Sequence, residues 1–340
     1  MAVLNYTKRL SNLKDRRFDK ELNELFASRS FSSNEIPDNL KYLLESMRPI
    51  DKKYNDRTVL AADRVMNHLE ANLKLHFSRA YKRQGSVQTN TNIKVHSDVD
   101  LLTVIDKYHY IDPRLPNLNP YTASDPSSDI KDLRSMSYHT LNGIYDYVDN
   151  SNEKCISIFN KSLNRKVDVV FCFWYNSEEY QRTSNEHYRG IKFKASSIVA
   201  DYPFAHLNNV NYKGDVTRDG ARRGIRLLKT LKADSEPELN LLKGFQLTSI
   251  VYSMQDSLLY YTPGKDLDIA KAISSHVGYV IDNPLYRKGV KSPNGLEYPL
   301  SSDDIVPELR LLKSDLDTLT EDVQKELSTS WRVSGMLNSY

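Results

Sequence analysis

Apolar positions at Val59, Leu60, Val65, Met66, Leu69, Leu73 and Leu75, with no proline or glycine among them, predict a long helix from Thr58 to Phe77. The helix leads straight into Ala80 to Ser86, a run of extended character. Next comes DVDLLTVI, Asp98 to Ile105, a β-type run that ends in a charged turn. Cys155 to Phe159 and Lys166 to Trp174 form a predicted hairpin around Asn160 to Arg165. These strands make one sheet, mixed or antiparallel. Between Lys107 and Asp129, Pro113, Pro116, Pro120 and Pro126 stand among Asn, Ser and Asp, so the stretch reads as a long loop, either a lid or a solvated excursion. A helix from Ile130 to Asp149 follows. Beyond Asp215 the pattern turns helical, over Arg218–Lys232, Leu239–Tyr261, Asp266–Val280 and Asp303–Glu326. The chain therefore divides into 1–210, an N-terminal helix with a sheet-bearing core, and 211–340, a helical C-terminal domain.

Composition narrows the class. A chain of 340 residues with 39% hydrophobic content can bury a sizeable core. No apolar run nears the roughly 20 residues of a membrane helix, and MAVLNYTKRLSNLKDRR lacks the apolar stretch of a secretory signal. A cytoplasmic protein without membrane contact is expected. Cys155 and Cys172 are too few for a disulfide framework or a four-cysteine zinc cluster. With 47 basic against 44 acidic residues, the net charge of +3 supplies no overall attraction to nucleic acid, so any nucleotide contact must come from a local cluster.

The acids carry the chemistry. On a strand alternate side chains share a face, so Asp98 and Asp100 point together while Val99 and Leu101 enter the opposite layer. Two adjacent carboxylates repel unless a cation sits between them, and Mg²⁺ takes oxygen ligands. Asp266-Leu-Asp268 and Asp315-Leu-Asp317 have the same spacing but fall in predicted helices, where residues two apart diverge, and read as solvated helix faces. Asp98 and Asp100 differ from them in context. Gly85-Ser86 precedes them at a turn suited to phosphate oxygens, and Asp168 stands on a separate predicted strand. A third acid completes the ligand set that two ions need, held roughly 3.5–4 Å apart to stabilise the attacking and leaving oxygens of an in-line displacement. In this scheme Asp98 and Asp100 bridge two Mg²⁺ ions, for which Mn²⁺ could substitute. Asp168 binds the ion beside the acceptor hydroxyl and can take its proton. On the helix ARRGIRLLKTLK, Arg222, Arg226 and Lys229 share one face, which is either an ordinary solvated basic face or a phosphate contact led by Lys229.

Taken together, QGSVQTNTNIKVHSDVD, VDVVF and RRGIRLLKTLK resemble the cGAS/DncV-like nucleotidyltransferases, bacterial enzymes that make cyclic oligonucleotide signals in anti-phage defence. The likeness spans roughly residues 56 to 285. It implies an α+β fold: a polymerase-β-like nucleotidyltransferase core, a helical C-terminal half, and a bilobed shape with a central cleft. It also implies that Lys229 contacts the triphosphate. In the next segment, KGFQLTSIVY, the family often carries a serine and an aromatic for the donor nucleotide; here Gly244 and Phe245 stand at those places. The serine is missing, and Phe245 reads equally as a base-stacking ring or a core aromatic. The zinc knuckle of the family's animal DNA sensor is absent, so no DNA activator is expected.

The expected activity is synthesis of a cyclic di- or trinucleotide from nucleoside triphosphates, with the product acting on a separate effector and room for a regulatory protein partner. A nucleotidyltransferase that modifies RNA or protein would need a basic acceptor groove that the near-neutral composition does not announce. Retention of all three acids argues against an inactive nucleotide-binding scaffold. His96, two positions before Asp98, could serve as a general base but reads as an exposed histidine in a polar loop; His139, His187, His206 and His276 form no ligand spacing, and neither a Gly-x-Ser-x-Gly elbow nor a Walker loop is present.

Overall fold

The computed structural model describes residues 3–18, 36–111, 124–193 and 200–329. Two compact units share the chain. One comprises Asp51–Thr89 and His96–Asn208; the other comprises Met1–Ile50, Asn90–Val95 and Asn209–Tyr340.

The first unit is built on a mixed sheet. Strands β1 (Arg79–Gln84), β2 (Val99–Ile111), β3 (Val148–Asp149), β4 (Cys155–Asn160) and β5 (Arg165–Asn176) lie in the order β1-β2-β5-β4-β3, and β6 (Arg189–Lys192) pairs with the far end of β5. The β2–β5 pair is parallel and every other pair antiparallel, which settles the choice between a mixed and an antiparallel sheet. The predicted hairpin is the β4–β5 pair. Odd-numbered residues of β5, Val167, Val169, Phe171 and Phe173, join Val99 and Leu101 under the helices Lys52–Asn72 and Pro126–Asn142. Even-numbered residues, Leu102, Val104, Cys172 and Trp174, form a smaller apolar cluster on the other face with Ile191 and Phe204.

Local chemistry shifts several predicted boundaries. The first long helix begins at Lys52, because the Asp51 carboxylate caps it by accepting from Lys53 N at 3.0 Å, and it ends at Asn72. The helix expected from Ile130 begins at Pro126, which occupies the first turn behind the Asp125 cap, and ends at Asn142. Strand β2 continues past Ile105 into the predicted loop, while residues 112–123 of that loop lie outside the described residues.

The second unit is helical. Its core joins Leu13, Leu40, Tyr42, Leu43 and Met47 to Leu227, Leu228 and Leu231 of the helix Gly220–Ala233, and to the helices Asp266–Asp282 and Val306–Thr329. The described residues before Asp51 thus pack with the C-terminal helices, whereas the sequence division had placed them with the sheet. Buried ion pairs explain the difference. Arg9 meets Asp315 at 2.5 Å, Arg16 holds both oxygens of Asp234 at 2.7 Å, and Tyr42 donates to the same carboxylate. Asp315 and Asp266 are on helices as expected, but they are not solvated. Asp266 is buried against Arg223 at 2.6 Å.

Candidate active site

The sheet register assembles the acids. Asp100 on β2 lies directly beside Asp168 on parallel β5, with Gln84 of β1 flanking Asp100 and Ser157 of β4 flanking Asp168. Four side chains, Gln84, Asp100, Asp168 and Ser157, therefore form a row across four strands on the face opposite the helices. Asp98 ends the segment just before β2, two residues from Asp100 and so on the same side. The Gln84 amide donates to Asp100 at 3.2 Å, and the Ser157 hydroxyl donates to Asp168. The apolar cluster around Leu102 and Val104 begins one pleat further along this face, so Asp100 is partly withdrawn from water. Burial, with the charges of Asp168 and Asp98, holds its carboxyl above the usual carboxylate range despite the Gln84 bond.

A cation already sits among these acids. The Lys166 ammonium lies 3.1 Å from Asp168 and 3.7 Å from Asp98. As the side chains stand, no three carboxylate, imidazole or thiolate groups among the described residues converge closely enough to hold an ion. Three carboxylates on one face, one of them strained toward its neutral form and two bridged by a positive group, nevertheless form a donor set that fits a hard divalent cation. Gly85 adopts φ +110°, a conformation glycine takes at little cost, and a side chain on it would approach the Asp98 carbonyl. The turn it opens, closed by Gln88 N on Gly85 O, exposes Ser86 beyond the end of β1.

The basic helix Gly220–Ala233 belongs to the other unit and is not an ordinary solvated face. Arg226 is fully buried and donates to Met47 O, Asn90 O and Asp219. Arg222 is held by Asn211 and Asp215. Lys229 is partly exposed and donates to the carbonyl and hydroxyl of Thr91 at 3.1 and 3.2 Å. Burial, and then the nearby Arg226 charge, push the Lys229 ammonium down to about 8. Gly244 opens the helix Gly244–Tyr252, and a Cβ there would come within 3.3 Å of the Lys229 side chain. The missing serine therefore leaves room for the lysine. Phe245 follows on the same turn and is partly exposed, so it is not a fully buried core ring.

No family model matches the chain. The c-di-GMP synthase of Capnocytophaga granulosa is 28% identical over 358 residues that take in 96% of this chain and 100% of the relative. The cyclic dinucleotide synthase CdnE of Yersinia aleksiciae is 28% identical over 296 residues, covering 85% of this chain and 78% of the relative. The solved structure of the STING-associated CdnE c-di-GMP synthase from Capnocytophaga granulosa superposes with a TM-score of 0.79 at 28% identity, over 95% of this chain and 100% of that one. By sequence and fold this nucleotidyltransferase resembles the cGAS/DncV-like group. Its relatives of known activity are cyclic dinucleotide synthases, and its sheet and helices follow the fold of that group.

In this nucleotidyltransferase the structure gathers Gly85, Ser86, Asp98, Asp100 and Asp168 in the sheet unit, and Lys229 with Phe245 in the helical one. Gln84, Ser157 and Lys166 were missed by the sequence reading. The signal for Lys166 was present, since it precedes Asp168 by two on a strand and must share its face. For Gln84 and Ser157 no such signal exists, because strand order and register bring them into the row. His96 is held by a contact of 3.2 Å to the Asn164 carbonyl, and no catalytic role is assigned to it.

Proposed function

We propose that this nucleotidyltransferase is a cyclic dinucleotide synthase that joins two nucleoside triphosphates in two successive displacements. In each one a ribose hydroxyl oxygen forms a bond to an α-phosphorus, the bond to the β-phosphate oxygen breaks, pyrophosphate departs, and the hydroxyl proton is lost. The observation that supports this most is the placement of Asp100 beside Asp168 on parallel strands with Asp98 on the same face. Asp98, Asp100 and Asp168 would hold two Mg²⁺ or Mn²⁺ ions, which when bound neutralise the triphosphate and acidify the attacking hydroxyl. Gln84 and Ser157 flank Asp100 and Asp168 and fix these two acids in orientation. Asp168, steadied by Ser157, is the acid proposed to receive the proton. Gly85 and Ser86 would offer backbone N–H groups and a hydroxyl to phosphate oxygens. Lys229 is proposed to pair with the triphosphate, and Phe245 to stack on a base.

The Capnocytophaga granulosa relative reported above is a c-di-GMP synthase, so GTP is the substrate favoured here. The association of the Capnocytophaga enzyme with STING supports a product that acts on a separate effector; anti-phage signalling in the cytoplasm is the setting proposed for it. Among the described residues no helix is long and apolar enough to cross a membrane.

The test is incubation of purified protein with radiolabelled ATP, GTP, CTP and UTP, singly and in pairs, with Mg²⁺ or Mn²⁺, followed by phosphatase. A phosphatase-resistant product from GTP alone, absent with Asp98→Asn/Asp100→Asn, is the expected result. Label found only in macromolecules would replace this reading with transfer to RNA or protein.

A further inference from the structure

Lys166 stands on the acid face of β5 and has no part in the reaction proposed above. Its ammonium spans two acids that come from different segments of the chain, at 3.1 Å from Asp168 and 3.7 Å from Asp98. Asp168 is nearly covered, with 15% of its side chain exposed, whereas Lys166 keeps 41% and Asp98 48%. The lysine is thus anchored at its inner contact and open to water along its flexible stem. An ammonium that bridges both carboxylates occupies the space that a metal coordinated to both would need. We infer that Lys166 is a built-in competitor for the metal site: it holds Asp98 and Asp168 together in the metal-free protein and must withdraw before an ion can bind them both.

The physics makes the exchange feasible in both directions. Without a cation Asp98, Asp100 and Asp168 would stand as three carboxylates on one face, and their repulsion would loosen the packing around Asp98 at the start of β2. A divalent ion attracts each carboxylate twice as strongly as an ammonium at equal distance, but it must also shed water from a tightly held shell. The lysine therefore raises the threshold for a bare ion. An ion arriving with a triphosphate carries extra negative charge with which the displaced ammonium can pair. The site consequently loads with the metal–triphosphate complex in preference to the metal alone. This inference rests on the assignment of Asp98, Asp100 and Asp168 as metal ligands.

The test measures Mn²⁺ binding to the nucleotide-free full-length protein by electron paramagnetic resonance, with melting in chelator and in Mn²⁺ as a second readout. Lys166→Met is expected to bind Mn²⁺ roughly two- to fivefold more tightly than wild type, the size of effect of a partly exposed ion pair. It should melt lower than wild type in chelator and gain more from Mn²⁺. Lys166→Gln guards against a folding fault peculiar to methionine. Lys161→Met removes the same charge from an exposed pair with Asp146 near the β4–β5 turn and should bind like wild type. Equal or weaker Mn²⁺ binding by both Lys166 variants, with wild-type binding still abolished by Asp98→Asn/Asp100→Asn, overturns the competitor and leaves the metal site standing. Wild-type binding that is absent, or unaffected by the two aspartate changes, overturns both.

Discussion

Asp100 carries opposing demands in one side chain. Its carboxyl is pushed above the ordinary range first by burial and then by Asp168 and Asp98, while Gln84 offers only a neutral amide in return. A carboxyl whose folded-state pKa is raised makes the folded state bind more protons than the unfolded one between the two pKa values. Stability then falls as pH rises through that window, and the whole penalty is present at neutral pH. Asp100→Asn in chelator should therefore melt about 1–2 °C higher than wild type at pH 7 and show no gain at pH 3, as read by calorimetry. The same substitution should lower product formation at least about a hundredfold, since the metal ligand proposed at Asp100 would contribute several kcal/mol to the transition state. A lower melting temperature at pH 7 would mean that Asp100 is better compensated than its neighbours indicate.

Elements decide what each motif becomes. The helix Gly220–Ala233 was legible from its period, and the shared face of Arg222, Arg226 and Lys229 is real. Periodicity says which residues share a face, however, and not whether that face is covered. Arg226 is covered, and it joins the C-terminal end of the helix Asp38–Met47 and Asn90 to its own helix through Met47 O, Asn90 O and Asp219. In sequence, residues 90–95 link the Gly85-Ser86 turn to Asp98. Arg226→Met removes the donor shared by Met47 O and Asn90 O, while Asp219 keeps Arg222 at 3.8 Å and Arg223 at 3.7 Å, so the loss is that of two buried carbonyl bonds, roughly 1–3 kcal/mol. Urea unfolding should register that loss, and amide exchange across residues 90–95 should accelerate more than exchange in β2. Unchanged protection of 90–95 would show that other contacts hold the segment. The strands were legible for a different reason. Alternation in DVDLL and KVDVVF marks the face of each acid, whereas the pairing that sets Gln84 and Ser157 beside them depends on strand order, which no local pattern encodes.

For the molecule as a whole, the N-terminal residues were the least legible part. Their helices, Tyr6–Arg17 and Asp38–Met47, are short and rich in charge, and they owe their place to a core completed by residues more than 170 positions away. Leu13, Leu40, Tyr42, Leu43 and Met47 are all buried in that core. At about 1.5–3 kcal/mol per large apolar side chain, their combined burial rivals the roughly 5–15 kcal/mol that separates a folded domain from its unfolded state. Deletion of residues 1–50 should therefore loosen the helical unit, seen as binding of a hydrophobic dye and early melting, although every proposed metal ligand remains in the chain. The parallel pairing of β2 with β5 has a consequence of another kind. Neighbouring strands lie about 4.8 Å apart and each residue advances the chain by about 3.3 Å, so the gap between Asp100 and Asp168 can change only in discrete steps. Sliding β5 by one residue turns Asp168 to the opposite face, and sliding it by two carries the carboxylate a full pleat away. The sheet thus acts as a ratchet for carboxylate spacing: the intervening chain can lengthen, shorten or diverge freely, while the acids either meet in register or do not meet at all.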